Sequence, residues 1–130
     1  MNEKMLIEAA IAAMKNSYSP YSGFCVGAAL LSESGKVYTG TNVENSSFSV
    51  TSCAERSALF AAVSAGERKF VAIAVVGGKS GEITDFCPPC GVCRQALSEF
   101  CTSDARVYLF DGKDVKSLTL GELLPESFSL

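Results

Sequence analysis

Residues 71–76 read Val-Ala-Ile-Ala-Val-Val, a run with no polar position and four β-branched side chains. A run this short, apolar at every position instead of at alternate ones, has the pattern of a strand covered on both faces. Such a strand needs helices above and below its sheet, which restricts the chain to layered α/β architectures.

The rest of the sequence supplies those layers. Residues 3–16 place Leu6, Ile7, Ala10, Ile11 and Met14 at helical spacing, and Ser19-Pro20-Tyr21-Ser22-Gly23 breaks the pattern. Residues 24–31 and 36–43 read as two strands around a turn at 32–35, which predicts a hairpin. Residues 42–49 are polar and turn-like, and 53–65 read as a helix closed by Gly66. Residues 77–89, rich in Gly and Pro, read as a loop, and 90–100 as a helix. A short strand at 107–110, an edge strand at 115–118 and a short helix at 120–124, stopped by Pro125, complete the pattern. The expectation is one domain over residues 1–130, an α/β three-layer α/β/α sandwich around a mixed five-stranded sheet.

Composition removes several function classes. Eleven basic and fourteen acidic residues give a net charge of −3, so no basic excess exists to displace counterions from a nucleic acid. A hydrophobic share of 48% excludes disorder, and a charged share of 19% points to surface covered by other subunits. The longest apolar runs, near 24–31 and 70–78, fall short of the ~18–20 residues of a membrane span. Glu8 interrupts the apolar N-terminal stretch, and no cleavage site of small residues follows, so no signal peptide is expected. The expected location is the reducing cytoplasm, where six cysteines serve as metal ligands or core residues more readily than as disulfides. There is no histidine, so a transition-metal site must use thiolates and carboxylates.

Cys53 opens one predicted helix, and Pro89-Cys90-Gly91-Val92-Cys93 opens another. A C-x-x-C at a helix start puts both sulfurs on one face of the first turn, where the helix dipole favours thiolate. Zinc suits three such ligands, and a missing fourth leaves a position for water. Glu55 can reach that water if Cys53 sits at the helix tip. Arg56 at i+3 from Cys53 and Arg94 at i+4 from Cys90 can each set a guanidinium one turn from a sulfur. Three thiolates on Zn²⁺ leave a net negative charge, and arginine hydrogen bonds to sulfur would withdraw part of it. A Cys ligand, x, Glu, followed later by P-C-x-x-C, is the signature of zinc nucleobase deaminases.

At these residues the chain resembles the small cytidine deaminases that assemble as homotetramers. The likeness also covers Tyr18-Ser19-Pro20-Tyr21-Ser22, Phe24, Val26-Gly27-Ala28-Ala29-Leu30, Asn42-Val43-Glu44-Asn45, Cys53-Ala54-Glu55-Arg56, Cys90-Gly91-Val92-Cys93-Arg94-Gln95, and Leu123-Leu124-Pro125 with Phe128. The resemblance implies one Zn²⁺ per chain on Cys53, Cys90 and Cys93. It implies that zinc-bound hydroxide adds at C4 of cytidine or deoxycytidine and that ammonia leaves, with Glu55 shuttling protons. It further implies Phe24 on the base, Asn42 and Glu44 on the ribose hydroxyls, the Ala54 backbone on the base edge, and Phe48 and Phe128 in a neighbouring subunit's site. The chain departs from the family's usual pattern at Phe48 (often Tyr), Pro88 (usually Ser) and Val92 (usually Ala).

Other readings stand beside this one. Cys87 as a fourth ligand would close the site and make it structural, in a zinc-stabilised interaction domain without catalysis. A thioredoxin-like pair at Cys90 and Cys93 would leave Cys53-Ala54-Glu55 without a role. A deaminase of a cytosine-containing antibiotic, of the blasticidin-S type, would share the chemistry, although Asn42-Val43-Glu44-Asn45 favours a plain nucleoside. Read singly, Phe24 is a strand core residue, Asn42 and Glu44 are a solvated edge, and Cys25, Cys87 and Cys101 are small buried hydrophobes.

Overall fold

A computed structural model describes residues 1–130. Helix α1 (Glu3–Met14) begins where the Asn2 side chain accepts the Met5 N–H. Strands β1 (Phe24–Ser32) and β2 (Val37–Thr41) form the expected antiparallel hairpin, followed by α2 (Ala54–Ser64) and β3 (Phe70–Lys79). Helix α3 (Gly91–Ser98), β4 (Cys101–Phe110), β5 (Val115–Thr119) and the single turn α4 (Leu120–Leu123) complete the chain. The five strands lie in the order β2-β1-β3-β4-β5. Only β3 and β4 pair in parallel, so the sheet is mixed.

The run that constrains the fold behaves as its pattern requires. Its side chains alternate between two cores, and only Val71 among the six is exposed. Ala72, Ala74 and Val76 meet Leu6, Ile7, Ala10 and Met14 of α1. Ile73 and Val75 face the opposite way, into a core with Ala58, Leu59 and Ala62 of α2 and Leu97 of α3. Each fully buried leucine in that second core is worth about 1.5–3 kcal/mol relative to exposure. The result is a helix layer on each side of one sheet.

Close approach of α2 to the sheet depends on Gly40. A Cβ there would stand 2.4 Å from the Ala58 nitrogen and 2.5 Å from the Ala54 carbonyl oxygen. The first turn of α2 therefore rests directly on the β2 backbone.

Three elements differ from the sequence pattern. β3 continues through Gly77 and Gly78 to Lys79, in a stretch that reads as loop. These glycines serve close packing inside a strand: a Cβ on Gly78 would lie 1.8 Å from the Glu82 carbonyl oxygen. β4 begins at Cys101, well before the apolar run at 107–110. Its exposed Thr102, Ser103 and Asp104 hide the strand, and a register shift against β3 between Phe70 and Ala72 absorbs them. Inside the polar stretch 42–49 a 3₁₀ turn forms at Phe48–Val50.

The strand directions place the site. β2 and β3 are both antiparallel to β1, so they point the same way. The connections leaving their carboxyl ends lead to the N-termini of α2 and α3, and Phe24 at the start of β1 faces Lys79 at that same edge. Ligand sites of α/β sheets lie outside carboxyl strand ends for this reason.

Candidate active site

Cys53 is the N-cap of α2 and Cys90 the N-cap of α3. The sulfurs of Cys53, Cys90 and Cys93 lie within 4.8 Å of one another. Cys53 Sγ and Cys90 Sγ are 3.7 Å apart, and Cys90 Sγ and Cys93 Sγ 3.4 Å. The Cys93 N–H donates to Cys90 Sγ, which orients that sulfur at the helix tip. Cys87 lies outside this three-sulfur group, so the closed four-sulfur arrangement does not form. Burial pushes its thiol up to about 11, with help from the nearby Glu55 and Cys53 charges.

Hydrogen bonding from Cys93 and from Arg56 pulls the Cys53 thiol down to about 5, against the opposing effect of burial. Cys93 shifts the other way, raised first by its bond to Cys53 and then by burial. Arg56 Nη2 donates to Cys53 Sγ at 3.4 Å, as its i+3 placement predicts. Arg94 behaves differently from the expectation. Its Nε donates to the Pro89 carbonyl at 2.7 Å and its Nη1 to the Leu123 carbonyl at 2.8 Å, so it braces the backbone before Cys90 and touches no sulfur. The C-terminal carbonyl that captures it could not be located from helix spacing alone.

Glu55 is 3% exposed, and its Oε1 has no hydrogen-bond partner. Burial raises its pKa, and the Cys53 charge adds to the shift. Two residues apart within a helix would not face each other, but Cys53 has extended backbone (ψ 156°) and lies off the helix end. Cap and first-turn carboxylate thus meet on one side of the tip. A buried carboxylate oxygen without a partner, beside three convergent soft donors, is a donor set that fits zinc with one position left open.

The remaining candidates surround this centre. Ala54 is fully buried at the first position of α2. Phe24 is 40% exposed, its ring beside Cys87: a Cβ on Gly77 would stand 2.9 Å from Cys87 Sγ and 3.0 Å from Phe24 Cε1. Asn42 is buried and clamps the start of β1. Its Oδ1 accepts the Val26 N–H at 3.0 Å and a bond from Ser17, and its Nδ2 donates to the Phe24 carbonyl at 2.8 Å. One amide hydrogen of Asn42 stays unassigned.

Glu44 closes the turn before β1. Its Oε1 accepts the Tyr21 and Ser22 N–H groups at 2.9 and 3.1 Å, and Oε2 accepts the Ser22 hydroxyl. These bonds, with Ser22 first, hold the carboxyl below its ordinary range. Tyr21, Ser22, Glu44, Phe48 and Thr51 line a concavity of about 210 Å³. Tyr21 meets the Phe48 ring edge-on at 6.0 Å. Phe48 and Phe128 are 75% and 71% exposed and find no core of their own. A larger hollow, about 540 Å³, opens at the other end of the sheet around Arg68, Lys69, Glu99 and Asp104. It contains none of the convergent ligands, so its size does not make it the chemical centre. Sequence spacing assigns no role to Ser22 or Tyr21, although both stand in the Tyr18–Ser22 stretch that carries the resemblance.

Sulfur ligands at paired helix tips, with a sequestered carboxylate beside them on this sheet, define a zinc-binding hydrolytic centre. Residues 1–109 match the cytidine and deoxycytidylate deaminase zinc-binding region. Cytidine deaminases of Halalkalibacterium halodurans and Sporosarcina psychrophila are each 48% identical over 130 residues, which is 99% of this chain and 96% and 93% of theirs. The crystal structure of cytidine deaminase from Burkholderia pseudomallei superposes with a TM-score of 0.90 at 47% identity, covering 98% of this chain and all of that one. The chain belongs to the cytidine deaminase family and carries that family's zinc-binding deaminase fold. No helix in it is long and apolar enough to cross a membrane.

Proposed function

We propose that residues 1–130 form one catalytic domain that hydrolyses cytidine and deoxycytidine to uridine and deoxyuridine with release of ammonia, a pyrimidine-salvage step in the cytoplasm. The observation that carries this reading is the buried, unpartnered Glu55 Oε1 beside the sulfurs of Cys53, Cys90 and Cys93. Those three sulfurs would hold Zn²⁺, which supplies water acidified enough to add at C4 of the pyrimidine. Glu55 would take a proton from that water and give it to N3, then take the proton of the new C4 hydroxyl and deliver it to the amino group, which leaves as ammonia while C4=O forms. Its burial favours this role, because a raised pKa makes the carboxylate a stronger base toward the water proton than an exposed glutamate.

Arg56 draws charge from the Cys53 sulfur and so limits how far three thiolates neutralise the metal. Arg94 holds the backbone that presents Cys90. Phe24 packs on the base, and the Ala54 backbone meets its edge. Asn42 and Glu44 meet the sugar hydroxyls: Asn42 with its unassigned amide hydrogen, Glu44 by exchanging one of its internal donors. Phe48 and Phe128 reach a neighbouring subunit's site in a homotetramer, and their large exposure supports an intersubunit role.

The test follows the absorbance change as cytidine becomes uridine, before and after chelation, with zinc content measured per chain. Turnover should track zinc near one ion per chain and return on adding zinc back. A zinc-loaded protein that leaves cytidine and deoxycytidine unchanged would overturn the reading.

A further inference from the structure

Ser22 is an exposed residue whose polar groups are nevertheless all engaged within the chain. Its N–H donates to Glu44 Oε1 at 3.1 Å, and its hydroxyl donates to Glu44 Oε2. The same hydroxyl oxygen accepts the Phe24 N–H at 3.0 Å. Its carbonyl accepts from Lys79 Nζ, at the end of β3. Gly23 (φ 70°) follows, with the Lys79 side chain packed against it so closely that a Cβ would lie 3.1 Å from Nζ. An ordinary turn serine needs no such set of bonds. This one joins three segments distant in sequence: the turn before β1, the polar loop carrying Glu44, and the end of β3.

We propose that Ser22 is the positioning residue for sugar recognition. It ties the Glu44 carboxylate to the Phe24 backbone, so that the group meeting the sugar and the ring meeting the base are held at a fixed spacing. The inference rests on the roles proposed for Glu44 and Phe24. The geometry adds a second element, an exchange at the carboxylate. Oε2 receives one donor, the Ser22 hydroxyl, and a sugar hydroxyl of similar donor strength can share or replace it. The carboxylate therefore waits in its binding orientation, held by three donors, with little side-chain entropy left to lose when the sugar arrives. Lys79 fixes the same turn from the other side, and its positive charge helps keep Glu44 ionised.

The experiment compares Ser22→Ala, which removes the hydroxyl, with Ser22→Thr, which keeps it, in the zinc-loaded protein. Cytidine and 2′,3′-dideoxycytidine, which lacks both ring hydroxyls, serve as substrates. Loss of a hydrogen bond to a charged group corresponds to about a tenfold change. Ser22→Ala should raise KM for cytidine about tenfold with kcat within about twofold, and should shrink the cytidine preference over the dideoxy analogue by a similar factor. Ser22→Thr should restore both values. A purely structural role would lower turnover on both substrates alike and leave their ratio unchanged. An unchanged ratio in Ser22→Ala, or equal damage in both variants, overturns the inference. Glu44→Ala in the same assay separates the two levels. If it too leaves the ratio unchanged, the sugar-binding reading of Glu44 fails. If it collapses the ratio while Ser22→Ala does not, only the role of Ser22 fails.

Discussion

Arg94 and Leu123 are joined by a 2.8 Å hydrogen bond from the guanidinium to the backbone carbonyl, and a second nitrogen of the same guanidinium holds the carbonyl of Pro89. One side chain thus fastens the last helical turn of the chain to the segment that presents Cys90. Lysine could not do this, since it lacks a fork with donors pointing in two fixed directions. Arg94→Ala should cost about 2–4 kcal/mol, because two partly buried carbonyls lose a charged donor. Urea unfolding of the zinc-loaded protein measures it, and a change below about 0.5 kcal/mol would place Arg94 among ordinary surface residues.

Glu55→Gln keeps the size of the side chain and removes its capacity to carry a proton. Turnover should fall by about a hundred- to ten-thousand-fold, with zinc per chain and far-ultraviolet circular dichroism unchanged. Near-normal turnover in a fully metallated variant would end the proton-shuttle role.

Arg56 donates to the sulfur of Cys53 from one turn along α2. Replacing it with methionine retains much of the apolar stem and removes the donor. Zinc affinity should drop about ten- to a hundredfold, as is usual when a partner of a ligand atom is lost. Competition with a chromophoric chelator reads this directly. Cys53→Ala should lose the metal altogether, and retention of one zinc per chain with full activity would show that the ligand set is different.

Glu67 gathers the hydroxyls of Ser32, Ser34 and Tyr38 at 2.7, 2.8 and 2.9 Å, which pins the end of α2 to the β1–β2 turn. These bonds, Ser32 first, hold its carboxyl below the ordinary glutamate value of 4.5. A carboxyl lowered by folding stabilises the native state above its unfolded pKa, and that gain disappears as pH falls through the folded value. The acid limb of the melting-temperature curve below about pH 4.5 should therefore be shallower in Glu67→Gln than in the wild type. Parallel curves over that interval would count against the network.

Gly77 separates Phe24 from Cys87 by the width of a missing methyl group. Gly77→Ala should cost about 1–3 kcal/mol through overpacking and should raise KM by displacing the ring. Adding Cys87→Ala should recover part of both losses, since removing the sulfur at 2.9 Å gives the new methyl room away from the ring at 3.0 Å. Additive effects in the double variant would rule out that contact as the cause.

Legibility followed the range of the interactions. The fully apolar run at 71–76 implied helices on both sides, because nothing else covers such a strand. The spacing of Cys53, Cys90 and Cys93 named the sulfurs that the fold brings together, because helix tips make ligand placement a local matter. The extended cap at Cys53 also let Glu55 join them, as the off-the-end geometry requires. The misread segments were those where packing overrode local signals. Gly77 and Gly78 look like loop residues and are strand residues under close contact. The expected strand at 107–110 is only the end of β4, because the exposed Thr102, Ser103 and Asp104 ahead of it carry no apolar pattern. Leu123 for Arg94, Glu44 for Ser22 and Ser32 for Glu67 lie 22 to 35 residues away, beyond the reach of periodicity.

Gly40 bears on where the metal can sit, although it makes no contact with it. Because the opening turn of α2 rests on bare backbone at this point, the height of Cys53 over the sheet is set from beneath. A single extra methyl at residue 40 would lift one ligand relative to the other two, which stand on a different helix. Coordination in this enzyme is thus vulnerable to a mutation that leaves every ligand, acid and arginine intact, and a mutational survey confined to the chemical groups would miss it.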